Sequence, residues 1–245
     1  MKNCKSCGEE FEAEAHNQAY CSTRCKRNEE NRKRRLQKPV QVYDEEVWQL
    51  EEKRKDALLA RRMAKNEWIL GNKSFAMFDI ESTQLDADFG RLICACIKPL
   101  GGTATVFSTR KSDVKIAQQI RDEIQKYDYV VTWYGTGFDM PYLATRLTAQ
   151  GLDPIGKVRH VDMYYTSRSA MKFASNRLSE VTKSLLGKAE RTQVIGSTWL
   201  AAGEGNPKAV QYVIDHCVAD VQDLEDVFLK LVPFRNLSAT PLRVY

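Results

Sequence analysis

The chain has 245 residues, 37 Lys and Arg against 32 Asp and Glu, a net charge of +5 and 43% hydrophobic residues. That length holds one domain of ordinary size plus a small appendage, and no apolar run approaches the roughly 20 residues that cross a bilayer, so no membrane partner is expected. The N-terminus MKNCKSCGEE does not read as a signal peptide, so the chain is expected to stay inside a cell, with its seven cysteines as thiols or metal ligands and not as disulfides.

Residues 1–28 read as a zinc module. Cys4 and Cys7 form C-x2-C, Cys21 and Cys25 form C-x3-C, and 13 residues separate the pairs. Four thiolates in two close pairs are the donor set of one structural Zn2+. So small a segment has almost no core, so the metal supplies most of its folding free energy. A four-Cys site leaves His16 without a coordination position. The pattern CKSCGEEF…NQAYCSTRC resembles the short treble-clef-like fingers at the ends of many nucleic-acid-processing proteins, often viral ones, which would place the chain in a host cell. A protein partner docked on the finger is the alternative.

Residues 29–72 read as a basic and helical linker. From Arg24 to Lys38 eight basic residues, among them Arg32, Lys33, Arg34 and Arg35, face only Glu29 and Glu30. Such a run meets a phosphate backbone or is a solvated helix face. From Asp44 the composition favours a helix, with Asp44 as its cap and Gly71-Asn72 as its end.

The main domain is expected over residues 73–235, with a tail at 236–245. Strands are expected at 74–81, 92–97 and 103–108, with Gly101-Gly102 marking a hairpin. A helix follows at 114–127, with Ile116, Ile120 and Ile124 on one face. YVVTW at 129–133 reads as a strand covered on both faces, and YGTGFDMPYL leads into a helix ending near Gln150. A short strand at 160–163 and helices at 178–186 and 208–231 complete an α/β pattern, a mixed sheet flanked by helices.

Within this pattern four acids stand out. In SFAMFDIES, Phe75, Met77, Asp79 and Glu81 share one face of a strand. Two carboxylates side by side at the exit of a buried strand repel each other unless a cation lies between them; the alternative is a strand ending in solvent. Asp139 stands at a loop-to-helix junction, where an N-cap is the ordinary role. Asp220 lies among apolar residues of the last long helix, one turn after His216.

The motifs FDIES, YGTGFDMPYL and HCVADV, in that order, resemble the three motifs of the DEDD 3′–5′ exonucleases on a ribonuclease H-like fold. The nearest flavour is a YprB-type group related to the proofreading domains of family B DNA polymerases. The resemblance implies that Asp79, Glu81, Asp139 and Asp220 hold two Mg2+ or Mn2+ ions, with His216 at the fifth, catalytic position. It implies hydrolysis of single-stranded DNA or RNA from a 3′ end, with the finger and basic run holding phosphates, and Phe138, Met140, Tyr164 and Tyr165 near bases. Lys172, Arg177, Lys183, Lys188 and Arg191 would extend the basic track. Two departures stand out: His216 occupies the x3 spacing at which the tyrosine subclass carries Tyr, whereas the histidine subclass carries its His one residue further away, and Tyr134 stands where the second motif usually carries Asn. An inactive nucleic-acid-binding or assembly factor on this fold, or a structure-specific endonuclease, are the alternatives.

Overall fold

The computed structural model describes residues 1–36, 45–188 and 194–245, and it divides into two units, residues 1–56 and 57–245. Lys38, Pro39, Asp44 and Arg191 lie outside the described residues, as does the side chain of Arg35.

In the first unit, β1 (Lys2–Asn3) and β2 (Glu10–Phe11) pair antiparallel. The turn between them closes on Cys4, whose N–H donates to Glu9 O and whose carbonyl accepts the Gly8 N–H, both at 2.9 Å. Gly8 sits at φ +80°, a left-handed conformation that a side chain would strain. Helix α1 (Thr23–Leu36) starts on Ser22, whose Oγ accepts the Cys25 N–H at 3.2 Å as an N-cap. The cap fixes the first turn, and with it the second cysteine pair.

Helix α2 (Glu45–Asn72) contains the boundary between the units. From Ala57 onward the helix belongs to the second unit. The physical reason is Asn66, only 4% exposed. Its Nδ2 donates to Val232 O at 3.2 Å and Arg235 O at 2.6 Å, and its Oδ1 accepts the Leu237 N–H at 3.1 Å. A buried amide with three partners is a fixed joint, because each bond lost would leave a desolvated polar group. Ile69 packs into the core beside it. Among the described residues no helix is long and apolar enough to cross a membrane.

The second unit is built on a six-stranded sheet. Strands β3 (Phe75–Ser82), β4 (Leu92–Pro99) and β5 (Thr105–Ser108) form an antiparallel meander. Strand β6 (Tyr129–Thr132) joins β3 in parallel, and β7 (Lys157–Asp162) joins β6 in parallel. Strand β8 (Leu242–Val244) closes the edge antiparallel to β7, giving the order β5-β4-β3-β6-β7-β8. The expected tail is therefore part of the sheet: Tyr245 and Gly156 exchange two backbone hydrogen bonds.

The pleat divides the core into two layers. Ala76, Phe78 and Ile80 face α3 (Val114–Ile124) and α4 (Asp139–Ala149), which contribute Ile116, Ile120, Ile124, Met140, Leu143 and Leu147. Each such side chain contributes about 1.5–3 kcal/mol on burial. Phe75 and Met77 face the opposite layer. There α5 (Met163–Ala170), α6 (Leu178–Leu186), α7 (Gly196–Gly203) and α8 (Pro207–Leu231) lie, with Val213, Cys217, Val221 and Leu224 of α8 in the core. Lys98 and Glu225 form a buried ion pair between β4 and α8. Removing one partner would cost about 3–5 kcal/mol by stranding the other charge. Met163 begins a helix instead of ending a strand, because Asp162 caps that helix by accepting the Tyr164 N–H.

Candidate active site

The face of β3 that carries Phe75 and Met77 into the core carries Asp79 and Glu81 to its exit. In the β3–β4 register they stand opposite Cys96 and Cys94, and a bulge follows between Glu81 and Ser82. Helix α8 crosses this end of the strand, with the Cys217 Sγ 3.6 Å from Asp79 O. The next turn brings Asp220 and His216, whose Oδ2 and Nε2 are 3.7 Å apart. Ligand atoms of Glu81, His216 and Asp220 lie within 4.8 Å of one another. Asp139 enters from the start of α4, where its Oδ1 accepts the Ile80 N–H at 3.1 Å. It is the first residue of the helix, with Phe138 at the N-cap, so the capping role does not apply.

Electrostatics ties Asp79 and Asp139 to that trio. Asp79 is pushed well above the usual carboxylate range, first by burial and then by the charges of Glu81, Asp139 and Asp220. Its Oδ2 is sealed from solvent without a hydrogen-bond partner. Glu81 is raised by burial, Asp220 and Asp139. Asp139 is pushed up to about 7 by burial, against its hydrogen bonds from its own and the Ile80 N–H, with Asp162 and Asp220 adding repulsion. An orphaned carboxylate oxygen and acids that cannot all ionise together fit a hard divalent cation with oxygen ligands.

The loop before Asp139 is held by a residue that sequence reading missed. Asp162, at the end of β7, accepts the N–H groups of Tyr134 and Thr136 at 2.9 Å each and of Tyr164 at 3.1 Å. Its only sequence signal is an acid at the end of a strand, which is not distinctive. Phe138 is half-buried against Tyr142 at 5.4 Å and lines a small cleft of about 320 Å³. Met140 is fully buried in the core and cannot meet a base, a correction to its expected place. Lys183 is exposed on α6. Lys188 is held by Asp223 at 2.7 Å and Asp226 at 2.6 Å. Arg32 is likewise engaged, in a two-bond pair with Glu29, while Lys33 and Arg34 are exposed.

In the first unit the four cysteines come together as the spacing predicts, with all four sulfurs within 4.8 Å of one another and His16 outside the group. Cys7 and Cys21 are 3.6 Å apart, Cys21 and Cys25 3.5 Å. The thiols pull against one another. Burial raises Cys4, but backbone N–H groups of Cys21, Cys7 and Ser6 hold it down to about 6. The Glu9 N–H lowers Cys7, yet the neighbouring sulfurs push it up to about 12. Four sulfurs so placed are a donor set that could hold a metal ion, and thiolates in this number suit a tetrahedral Zn2+.

No match was found among curated proteins. Among solved structures, the chain's fold is similar to the family B DNA polymerase from the hyperthermophilic archaeon Pyrobaculum calidifontis. The likeness has 17% identity and a TM-score of 0.53, over 69% of this chain and 27% of that one. The chain thus spans about a quarter of the polymerase's length, and the likeness is one of fold. The RNase_H superfamily profile matches residues 76–232. That span runs from β3 to the end of α8 and holds all four acids and His216, and on that match the chain belongs to the RNase_H superfamily.

Proposed function

We propose that the chain is a metal-dependent 3′–5′ exonuclease acting on single-stranded DNA or RNA. What supports this reading is that ligand atoms of Glu81, His216 and Asp220 lie within 4.8 Å of one another, that the charges of Asp79, Glu81, Asp139 and Asp220 act on one another, and that a buried Asp79 oxygen is left without a partner. These four acids would hold two Mg2+ or Mn2+ ions. Divalent ions in such a site supply a hydroxide at neutral pH and positive charge for the leaving 3′ oxygen. His216, beside Asp220, orients the attacking water and takes up its proton. Phe138 and Lys183 hold the strand end. Lys33 and Arg34, with the finger, add phosphate contacts that do not read sequence.

The test uses 5′-labelled single strands with Mg2+, Mn2+ or EDTA. Stepwise shortening from the 3′ end, lost in EDTA and in Asp79→Asn, supports the reading. Binding without cleavage under any metal would make the protein a binding or assembly factor. Cuts within circular single strands would make it an endonuclease.

A further inference from the structure

The loop that carries Asp139 also carries a ring that the acid cluster does not use. Tyr134 has φ +66°, the only positive φ outside glycine among the described residues. Such a conformation costs a bulky residue about 1–3 kcal/mol, and the two N–H groups clamped by Asp162 hold it there. The ring lies over Gly137, where a Cβ would come within 2.5 Å of it. It remains 45% exposed, and Tyr165 43%. Tyr164 meets Tyr134 edge-on at 4.9 Å and Tyr165 edge-on at 5.3 Å. Trp133 packs edge-on against Tyr164, and its Nε1 donates to Asn176 O at 3.0 Å, which pins the opposite wall. Trp133, Tyr134 and Tyr164 line a cleft of about 660 Å³ together with Arg168 and Arg177, and the exposed Tyr165 ring stands beside it, against Tyr164.

Exposed aromatic faces beside guanidinium groups match unpaired nucleotides, whose bases stack while their phosphates meet the cations. The smaller cleft beside Phe138 is lined by Asp86 and Asp88 and by no basic residue among the described ones, so it has room for a terminal base against Phe138 but no cation for a run of phosphates. Charge therefore sends the strand along the Tyr134 side. We propose that Tyr134, Tyr164 and Tyr165, with Arg168 and Arg177, form a stacking platform for unpaired bases upstream of the strand end, and that this platform selects single strands over duplex. The word upstream rests on the nuclease reading; the stacking chemistry does not.

The full chain in EDTA, where nothing turns over, is titrated by fluorescence anisotropy with a labelled ten-residue oligothymidine, an abasic backbone of equal length and a blunt duplex. The ratio of abasic to base-bearing Kd cancels the phosphate contacts of the finger. That ratio should exceed about 10, and Tyr134→Asn and Tyr165→Ala should each lower it about fivefold, the share of one stacked base. Duplex should bind no better than the abasic strand. Equal binding of abasic and base-bearing strands, or a ratio unmoved by Tyr165→Ala, overturns the platform. Tyr165 is exposed enough that its loss leaves folding intact, so that variant decides even where Tyr134→Asn folds poorly. Base-dependent binding without cleavage in Mn2+ removes the nuclease reading and keeps the platform. Cleavage with base-independent binding does the reverse.

Discussion

Asp139→Asn removes one charge from the acid cluster while keeping its shape. In the folded chain burial, followed by the charges of Asp162 and Asp220, pushes Asp139 up to about 7, against an ordinary value of 3.8. The folded state therefore holds a proton that the unfolded chain has released. The stability tied to this group is complete below pH 3.8 and is lost as the pH climbs through 7. Between pH 5 and pH 8 the loss is about two pH units' worth, roughly 3 kcal/mol. Asparagine carries no charge to lose, and its Oδ1 can keep the Ile80 N–H that Asp139 accepts at 3.1 Å. In EDTA, the gain of Asp139→Asn over wild type should thus be about 3 kcal/mol larger at pH 8 than at pH 5. In a unit of this size that is about 6–12 °C in Tm. Both chains contain His160, which burial holds down to about 4, so its own titration cancels in the comparison. Urea unfolding followed by circular dichroism at the two pH values measures the difference. Adding Mn2+ at pH 8 should stabilise wild type and leave the variant nearly unmoved. A variant gain that is equal at both pH values, or a loss at pH 8, would refute the picture of acids held together against their repulsion.

Two further outcomes follow from the same structure. Atomic absorption on the purified chain should find one zinc, and Cys7→Ser should lose it together with the folded signal of the first unit; a zinc content near zero overturns the finger. Asp162→Ala leaves the N–H groups of Tyr134, Thr136 and Tyr164 without their acceptor, and urea titration should show a loss of about 3 kcal/mol. A loss below about 0.5 kcal/mol, ordinary for a surface change, would mean that the loop does not depend on this clamp.

The parts legible in the sequence were those with a strong local period. Ile116, Ile120 and Ile124 recur every four residues and form the buried face of α3. The alternation in β3 sorts Phe75, Met77, Asp79 and Glu81 onto the side that α8 covers. What stayed hidden depended on tertiary contact. Strand β8 is three exposed residues whose only reason to be extended is the free edge of β7. Helix α7 begins and ends on glycine and has no side-chain cap, so its sequence carries no start signal. Helix α5 is aromatic and hydroxyl-rich, a poor helix former that Asp162 caps from the preceding strand. The acids of the site were visible one by one, but their shared field, and the role of Asp162 behind Asp139, exists only once four distant segments meet.

Tyr134 joins these threads. The asparagine usual at this place in motifs of this kind is, with aspartate, the side chain that most readily accepts a left-handed backbone, and φ here is +66°. The backbone alone is therefore a reason for asparagine, whatever its amide does. Tyrosine keeps that backbone under strain and offers instead a half-exposed ring over Gly137. Tyr134→Asn should then gain about 1 kcal/mol of stability in the free protein, the lower end of what such strain stores, while weakening its hold on unpaired bases. Differential scanning calorimetry beside the anisotropy titration separates the two effects. A variant that loses stability would show that the ring is there for packing, because relief of strain without loss of contacts can only stabilise. A variant that gains stability and binds less well would show a residue kept against the interest of the fold, which is the mark of a side chain that meets a ligand.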